Sequence, residues 1–598
     1  MSTFTLLTAV LATLLPLSTS TPQHCKPMPN TPNWPSPTAW QTLNNTLNGH
    51  LLSPPPPGAV CHPTHPLYNN ASCTALLTSW TSSDFHARNP ITSDYNDDTC
   101  RPDPTRPCSR DGYPAYTVNA TEAAHVAAAV RFARDTGVRF VVKGTGHDFP
   151  GRSAGRGALS VHTHWLRGVE VLHEDPRAAK YGGVAAVKIG AGMRWGEVYA
   201  AVAKENVTVV GGADLNVGVG GWTGGGGHSP VSSMYGLGAD NVLEMEVVTA
   251  DGEVRTINEE CEPDLFWAMR GGGPGTYAVM LSVTMRAHPA TMLSTYAFSY
   301  STTALSAAFW NMTAYFHTQI PRIADAGAMG YYFTVPNITA LGADASAFPG
   351  NIDATTVDAS QAGLLAGLLL FPSTANATEI MTPLETALAA LEQPHPIHTS
   401  HTATPPTDFW TIWSQTQPQS VGSTNTRLGS WLLGAEGITS KPVPELAATL
   451  AAASGGLPLP QLGHMVAGPG VRNAPKRLPG GGDAVLPAWR DAYTHVVLPA
   501  GWAGAEDEEA ATAALRRRVG ALKSLQPGSG AYYNEADPTN EAWKRDYYGE
   551  NYGRLAAVKG RWDPEGVFWC KACVGSDEWV VSGGEGVGQE AERLCRKA

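Results

Sequence analysis

His147 stands where its imidazole can meet a bound molecule. It lies in the stretch VKGTGHDFPGRSAG, residues 141–154, directly after a short apolar run. Glycines on both sides leave the backbone bare, so that a ligand can lie against it. A histidine packed in a hydrophobic core needs no such surroundings. The pattern therefore predicts that His147 carries or contacts a ligand.

Two further glycine-rich stretches indicate what kind of ligand this is. Residues 210–242 read VGGADLNVGVGGWTGGGGHSPVSSMYGLGADNV, and residues 270–277 read RGGGPGTY. Asp, Asn, Trp and His are interspersed in the first of them, which is not typical of a plain linker. Successive backbone N–H groups without side chains form a nest that suits a pyrophosphate. Three such loops, each beside a predicted strand, indicate a large, flat ligand that carries phosphates.

Several common functional motifs are absent from the sequence. There is no strand–GxGxxG–helix unit with an acidic residue about 20 positions further on, which excludes dinucleotide binding of the Rossmann kind. No Walker lysine motif, G-x-S-x-G elbow or H-E-x-x-H sequence occurs. Cys570 and Cys573 form a C-x-x-C without a second pair at zinc-finger spacing, which favours a disulfide, with Cys595 as one possible partner. We therefore expect no metal site.

Helices and strands around the glycine loops must position them. One predicted helix begins at Thr121 as N-cap and stops at Gly137, and another carries apolar residues at i, i+3, i+4 and i+7. The predicted helices cover 121–137 and 194–206, and the predicted strands cover 138–144, 185–192, 243–257 (a pair around an Asp-Gly turn) and 277–289. Mixed helices and strands with glycine clusters between them predict an α+β domain over residues 110–290.

The rest of the chain falls into segments of different amino-acid composition. With 598 residues the chain is too long for one ordinary core, so we expect at least two domains or one large two-lobed body. Residues 21–109 are rich in Pro, Thr, Ser and Asn and predict an extended, disulfide-stapled segment with little regular structure. Residues 291–500 hold longer apolar strands and Ala/Leu-rich helices that could roof a site, whereas residues 501–598 are aromatic and charged.

Several features predict a secreted protein. The apolar stretch 6–17 is too short for a membrane span and precedes small residues suited to cleavage, so residues 1–20 are interpreted as a signal peptide. Nine cysteines lie mostly near the two ends, and their odd number leaves at least one free or paired between chains. The net charge of −12 argues against nucleic acids and anionic membranes as partners. Sequons that predict glycosylated surface loops occur at Asn44, Asn70, Asn119, Asn206, Asn311, Asn337 and Asn376.

Four segments, in order, resemble a known family. KGTGHDF, GVGGWTGGGG followed by YGLGADNVLEMEVVTADG, and DLFWAMRGGGPGTYAVMLSVTMRAHP resemble the FAD-binding domain of the p-cresol methylhydroxylase and vanillyl alcohol oxidase superfamily. Residues 531–569 are similar to the C-terminal signature of berberine-bridge-enzyme-like proteins, the secreted fungal ones above all. The resemblance implies an α+β, two-lobed fold. Residues 110–290 would bind FAD, 291–500 would form a substrate domain with an antiparallel sheet and covering helices, and 501–598 would return to the FAD domain.

The resemblance also assigns the cofactor contacts. His147 would form a covalent bond to the 8α-methyl group of the flavin. Many family members add a second bond from a cysteine just before V-G-x-G-G, but Asp214 stands there, which implies a single link and disfavours an oligosaccharide substrate. The other residues that it implies for FAD binding are Lys143, Gly144, Thr145, Gly146, Asp148, Asp214, Gly218, Gly220, Gly221, Gly224, Gly225, Gly275, Val279 and Asn534.

Two residues are candidates for the catalytic base. Tyr532 and Asn534 match the family's Y-x-N element, which implies that the tyrosine faces the substrate carbon and the asparagine touches the flavin. A free tyrosine has a pKa of about 10, so Tyr532 would need a neighbouring cation or the field of the flavin to act as a base. Tyr532 could instead be an aromatic core residue. His228 aligns with a pocket tyrosine of plant members and is either a second acid or base or a residue that shapes the pocket.

These observations together predict a secreted, glycosylated flavoprotein oxidase. It would transfer a hydride from an alcohol or an activated C–H carbon of a small molecule to FAD, and O₂ would reoxidise the flavin to give H₂O₂. The alternatives are a natural-product oxidase that forms a ring or a double bond, a dehydrogenase with another acceptor, and a non-catalytic glycoprotein that retains the fold. The substrate itself is not evident from the sequence.

Overall fold

The computed structural model describes residues 25–94, 99–341, 362–391, 394–416, 425–474, 482–504, 507–582 and 593–597. The predicted signal peptide, residues 1–20, lies outside them. The helices of the described residues are α1 (Pro37–Thr46), α2 (Asn70–Ser79), α3 (Ser83–Arg88), α4 (Ala123–Thr136), α5 (Pro176–Lys180), α6 (Trp195–Ala203), α7 (Val219–Gly224), α8 (Ser232–Tyr235), α9 (Pro263–Met269), α10 (Ala307–Asp325), α11 (Ala377–Ala389), α12 (Phe409–Thr416), α13 (Ala435–Thr439), α14 (Val443–Ser454), α15 (Pro469–Asn473), α16 (Glu508–Leu525) and α17 (Tyr552–Trp562).

The strands form three sheets and one separate pair, and the fold is α+β as predicted. The strands are β1 (Leu51–Leu52), β2 (Tyr116–Asn119), β3 (Phe140–Lys143), β4 (Leu159–His162), β5 (Val169–Leu172), β6 (Ala185–Gly190), β7 (Val207–Thr208), β8 (Val242–Thr249), β9 (Val254–Asn258), β10 (Ala278–Pro289), β11 (Met292–Thr302), β12 (Met329–Val335), β13 (Gly363–Pro372), β14 (His398–Asp408), β15 (Thr426–Gly434), β16 (Gln461–Met465), β17 (Ala492–Gly501), β18 (Trp579–Ser582) and β19 (Arg593–Arg596).

The first sheet, with strand order β1-β2-β4-β3, positions the loop of His147. Both β2 and β3 run parallel to β4, and α4 connects β2 to β3. Gly137 ends α4 with φ +71°, a left-handed conformation that favours glycine, as the sequence predicts. The N-cap is Glu122 rather than Thr121. His147 follows the carboxyl end of β3 by four residues, at the edge where this sheet opens towards the cavity described below.

The second and third sheets are antiparallel. The second has the order β5-β6-β10-β8-β9, with β7 also paired to β10, and the third has the order β14-β11-β13-β12-β16-β17-β15. Helix α6 buries the apolar face that its periodicity predicts. Helix α12, which follows β14, packs on α6: the rings of Tyr199 and Phe409 are 5.1 Å apart, and Trp413 Nε1 donates to the Ala213 carbonyl at 2.6 Å. The third sheet is thereby joined to the second glycine-rich stretch.

The N-terminal segment contains α1, α2, α3 and β1, and is therefore more regular than its composition predicts. Disulfides Cys61–Cys73 and Cys100–Cys108 close short loops within it. The N-caps Ser36 and Asn69 accept hydrogen bonds from backbone N–H groups in the first turns of α1 and α2, which helps a polar sequence to form these two helices. The N-terminal segment is therefore folded rather than an extended linker, and one of its side chains belongs to the site described below.

The C-terminal residues return to the first sheet. Phe568 forms a bridge to Phe140 in β3, and Cys595 forms a disulfide with Cys25. The expectation that Cys595 pairs with the C-x-x-C is therefore wrong, because Cys570 and Cys573 bond to each other. Cys261 is free and exposed, which accounts for the odd number of cysteines.

Not all sequons lie in loops. Asn44 and Asn311 lie within α1 and α10, and Asn119 lies in β2, whereas Asn206 and Asn376 are exposed residues outside helices and strands. Among the residues that the structure describes, no helix is both long enough and apolar enough to cross a membrane.

Candidate active site

A single large cavity gathers the residues that the sequence analysis selected. It has a volume of about 950 Å³ and lies between the glycine-rich loops and the third sheet. Lys143 and Gly225 do not line it. The predicted site residues that do are Gly144, Thr145, Gly146, His147, Asp148, Asp214, Gly218, Gly220, Gly221, Gly224, His228, Gly275, Val279, Tyr532 and Asn534.

Bare backbone forms one end of the cavity, which we call the glycine-loop end and define as residues 144–148, 213–224 and 274–275. A Cβ added at Gly221 or Gly275 would meet no protein atom within 4 Å, so the main chain faces open space at both positions. Gly275 also has φ +68°, which favours glycine. A flat ligand can therefore lie directly against this wall. The cradle fits the FAD that the resemblance implies.

His147 is held at this end by a carboxylate from the N-terminal segment. Its Nδ1 lies 3.1 Å from Asp94 Oδ2, and the Asp94 N–H donates to the Gly146 carbonyl at 3.0 Å. Burial alone would lower the pKa of His147, but the hydrogen bond to Asp94 and the charges of Asp214 and Asp94 raise it above its ordinary value. Asp94 therefore fixes the orientation of the imidazole. The sequence analysis missed Asp94, because it lies in a segment with no recognisable motif.

Three predicted cofactor residues have other partners. Lys143 Nζ donates to the His86 carbonyl at 2.9 Å, away from the cavity, and burial lowers its pKa to about 7. A Cβ on Gly225 would lie 2.3 Å from Asn534 Nδ2, so this glycine makes room for that side chain. Asp148 lines the cavity, but its Oδ1 accepts a hydrogen bond from Arg152 Nε at 2.8 Å. These residues support the loops that form the cradle.

Three buried histidines and one partly exposed glutamate meet beside the cavity, and we call them the histidine–glutamate cluster: His228, His464, His495 and Glu535. His228 Nε2 lies 3.0 Å from Glu535 Oε1. The second carboxylate oxygen, Oε2, lies 3.5 Å from His464 Nδ1 and 3.4 Å from His495 Nδ1. The two Nδ1 atoms are 3.4 Å apart. The cluster joins a loop of the second glycine stretch, two strands of the third sheet and the C-terminal region.

Burial and mutual contact set the charges of this cluster. Burial lowers the pKa of His464 and His495 well below the ordinary value, so both imidazoles are neutral at pH 7. Burial by itself would raise the pKa of Glu535, but its contact with His228 keeps it below the ordinary value, as an ionised carboxylate. The site thus places a buried anion beside neutral imidazoles.

Tyr532 and Asn534 connect the two ends. Asn534 Nδ2 donates to the Tyr532 hydroxyl at 2.9 Å and to the Gly221 carbonyl at 3.2 Å. Burial raises the pKa of Tyr532 further above its ordinary value, and the charge of Glu535 raises it again. The positive charge of Arg152 lowers the pKa of Tyr532, but burial and the charge of Glu535 outweigh this effect. Tyr532 is therefore a protonated hydroxyl group at neutral pH.

The sequence analysis selected only His228 from the histidine–glutamate cluster. His464 and His495 lie in separate strands and are opposite each other only because β16 pairs with β17 in that register. Glu535 was the one member with an available signal, since it directly follows the Y-x-N element.

The chain is similar to known flavoproteins in sequence and in structure. Residues 114–258 match the family described as FAD binding domain, and residues 531–575 match the family described as berberine and berberine like. An uncharacterized FAD-linked oxidoreductase of Arthroderma benhamiae is 33% identical over 592 residues, which cover 94% of this chain and 95% of the relative. A bifunctional decalin synthase of Penicillium decumbens is 34% identical, with 96% and 95% covered. The crystal structure of a VAO-type flavoprotein from Myceliophthora thermophila C1 is 31% identical, has a TM-score of 0.81 and is matched over 96% of this chain and 100% of its own.

Proposed function

Since the chain belongs to the FAD-linked oxidoreductases of the vanillyl alcohol oxidase and berberine bridge type, we propose that it is an oxidase for a small molecule. It removes a hydride from an alcohol or an activated C–H carbon, and O₂ takes up the electrons to give H₂O₂. Bound FAD supplies the hydride acceptor. The protein's own residues hold the cofactor, position the substrate and take its proton.

The observation that carries this proposal is that one cavity is lined both by the glycine-loop cradle and by three members of the cluster, His228, His464 and Glu535. His147 lies at the glycine-loop end and His228 belongs to the cluster, and Asn534 donates hydrogen bonds to Gly221 and to Tyr532, whose ring lies 5.4 Å from that of His228. A substrate bound between the two ends would present its reacting carbon to the cofactor side and its hydroxyl group to the cluster. Such positioning is what hydride transfer demands of a protein.

His147 is the residue that we propose to carry the flavin, through one covalent bond. Support comes from its place in the cavity wall and from Asp94, whose carboxylate orients the ring and stabilises charge on it. Asp214 lies in the wall where a second link would require a cysteine, and its Oδ1 accepts a hydrogen bond from the Asn216 N–H at 2.7 Å. An aspartate has no sulfur atom and cannot form the thioether that a second link requires.

We assign proton acceptance to His228 rather than Tyr532. A base must carry an available lone pair, and the raised pKa of Tyr532 leaves its hydroxyl group protonated. An imidazole offers such a lone pair on the ring nitrogen that carries no proton, and the contact of His228 Nε2 with Glu535 Oε1 at 3.0 Å fixes the orientation of the ring. Its other nitrogen, Nδ1, lies 3.4 Å from the Tyr331 hydroxyl. Tyr532 then binds the substrate oxygen by a hydrogen bond.

Secretion is part of the proposal. Four disulfides, one of which joins the two ends of the described chain, are typical of proteins that fold in an oxidising compartment. The exposed sequons Asn206 and Asn376 would carry glycans. Recovery of the protein from culture medium, with an N-terminus near residue 21 and a mass that falls on deglycosylation, is the expected result. Retention inside the cell would contradict it.

The function is tested by anaerobic rapid mixing of the purified protein with a panel of primary, secondary and benzylic alcohols. We expect at least one to bleach the oxidised flavin absorption, and subsequent O₂ to restore it with one H₂O₂ per flavin. Bleaching that only an added dye reverses would indicate a dehydrogenase, and no bleaching by any alcohol would contradict the alcohol proposal.

A ring-forming oxidation is the second candidate, because one relative is named a decalin synthase. Product analysis separates the candidates: an alcohol oxidase yields a carbonyl compound two hydrogens lighter, whereas a ring-forming reaction yields a product with a new carbon–carbon or carbon–oxygen bond.

A further inference from the structure

We propose that His464, His495 and Glu535 bind a divalent transition-metal ion, with Zn²⁺ as the ion best suited to their donors. Two imidazole nitrogens and one carboxylate oxygen form a common zinc ligand set. The sequence contains no recognised metal motif, and the expectation drawn from it was that no metal is bound. This proposal concerns binding alone and does not depend on the oxidase function.

The three ligand atoms form a nearly equilateral triangle. His464 Nδ1 and His495 Nδ1 are 3.4 Å apart, and Glu535 Oε2 lies 3.5 Å from the former and 3.4 Å from the latter. Zinc bonds of about 2.0–2.1 Å in a tetrahedron place neighbouring ligand atoms roughly 3.3–3.4 Å apart. The triangle therefore has the dimensions of one face of such a tetrahedron.

Hydrogen bonding among the three atoms does not explain their convergence. The contacts exceed the usual 2.7–3.2 Å of an N–H to oxygen hydrogen bond by a few tenths of an ångström. Glu535 Oε2 is buried and accepts no hydrogen bond from any residue that the structure describes. An ionised carboxylate oxygen in that position is costly unless a cation or a donor compensates it. A metal ion at the centre of the triangle would do so.

The other carboxylate oxygen of Glu535, Oε1, supports the same conclusion. His228 contacts it at 3.0 Å and so orients the carboxylate from outside the triangle. Only one negative charge is contributed by the three ligands, which leaves a divalent ion with a net positive charge.

Three protein ligands leave a fourth position for an oxygen ligand. His464 and Glu535 line the cavity, whereas His495 is fully buried behind them. Zinc sites with three protein ligands and one exchangeable position are the kind that bind water or substrate. A substrate hydroxyl group that entered the cavity would therefore be a candidate for the open position, beside Tyr532.

The test is metal content per chain. Protein purified without metal-affinity chromatography is dialysed against a chelator, then against micromolar Zn²⁺, then against metal-free buffer, and its zinc is measured by mass spectrometry. We expect about one Zn²⁺ per wild-type chain, and at least a tenfold loss of zinc affinity in His464→Gln and His495→Gln. The control is His317→Gln, because both ring nitrogens of this buried histidine already have protein partners, at 2.8 Å and 2.9 Å. It should bind zinc as the wild type does.

Wild-type protein that retains less than about a tenth of an equivalent of zinc would overturn the proposal, as would equal zinc in wild type and both variants. If a variant fails to fold, Co²⁺ loaded into the wild type serves instead. Tetrahedral coordination by nitrogen and oxygen gives ligand-field absorption beyond the flavin bands, and its absence would contradict the site. Neither result bears on flavin reduction by alcohols, so the metal and the oxidase proposals can fail separately.

Discussion

The glycine-loop end of the cavity is built mainly from backbone, whereas the histidine–glutamate cluster is built from side chains of four separated segments. At the glycine-loop end, Gly221 and Gly275 have no Cβ, which leaves space for a ligand directly against the backbone. At the cluster, buried charge and hydrogen bonding depend on each individual group, such as Glu535. The difference implies that substitutions at one end change how the flavin is held, and substitutions at the other change how fast it is reduced.

The largest effect is expected for His147→Ala at the glycine-loop end. Without the imidazole no covalent bond forms, so essentially all flavin should be released when the protein is precipitated with acid. His164→Gln is the control, because His164 is buried nearby but does not line the cavity. Its flavin should stay with the pellet. Flavin that remains attached to precipitated His147→Ala protein would show that another residue forms the link.

The next largest effect is expected at the other end, for His228→Gln. Loss of the proton acceptor should slow anaerobic flavin reduction roughly 10²–10⁴-fold, the usual contribution of acid–base catalysis. Attached flavin should not change, since the bond belongs to the opposite end. Tyr331→Phe removes the hydroxyl that contacts His228 Nδ1 and serves as the control, with less than about threefold change expected from one weak contact. Equal rates for His228→Gln and wild type would exclude His228 as the base.

Tyr532→Phe should cost less than His228→Gln. A protonated Tyr532 contributes one hydrogen bond to the substrate oxygen, and its loss is worth about tenfold in rate, or ~1.4 kcal/mol. Stopped-flow reduction of both variants under the same conditions makes the comparison. A fall of about a hundredfold or more in Tyr532→Phe would restore the tyrosine as the proton acceptor, as its sequence motif first suggested.

The same contrast between backbone and side chains explains how much of each part of the site can be predicted from the sequence. Residue type and short-range periodicity specify some elements locally, so that they can be predicted from the sequence. These are the three glycine loops, helix α6 and strands β3 and β10. Glycine in a cradle likewise acts through its own backbone, so most of the predicted cofactor residues do line the cavity.

The cluster and the Asp94 contact could not be found in this way. His464 and His495 lie in two different strands with no motif around them, and only the register of β16 against β17 brings them together. Asp94 meets His147 only after the N-terminal segment has folded over the loop, across 53 positions of sequence. Long-range pairing of this kind leaves no spacing pattern. Lys143 and Gly225 are adjacent in sequence to residues that line the cavity but do not line it themselves, and their role in FAD binding stays a prediction.

The smallest effect is expected for Gly221→Ala, which adds one methyl group to the cradle. It meets no protein atom, so folding should be unaffected, but it occupies space at the cofactor wall and should lower flavin content severalfold. Gly520→Ala in α16 is the matched control, since its Cβ also meets nothing and flavin content should not change. Should Gly221→Ala retain full flavin, the cofactor does not lie against this glycine.

The central claim is that the flavin is attached at one residue only, His147. Peptide mass spectrometry of the wild-type protein tests this directly. After proteolysis, the account predicts one flavin-bearing peptide, which contains His147, and no flavin on any peptide that contains a cysteine. An unmodified His147 peptide in a protein that retains its flavin after denaturation, or a second flavin attachment at a cysteine, would contradict it.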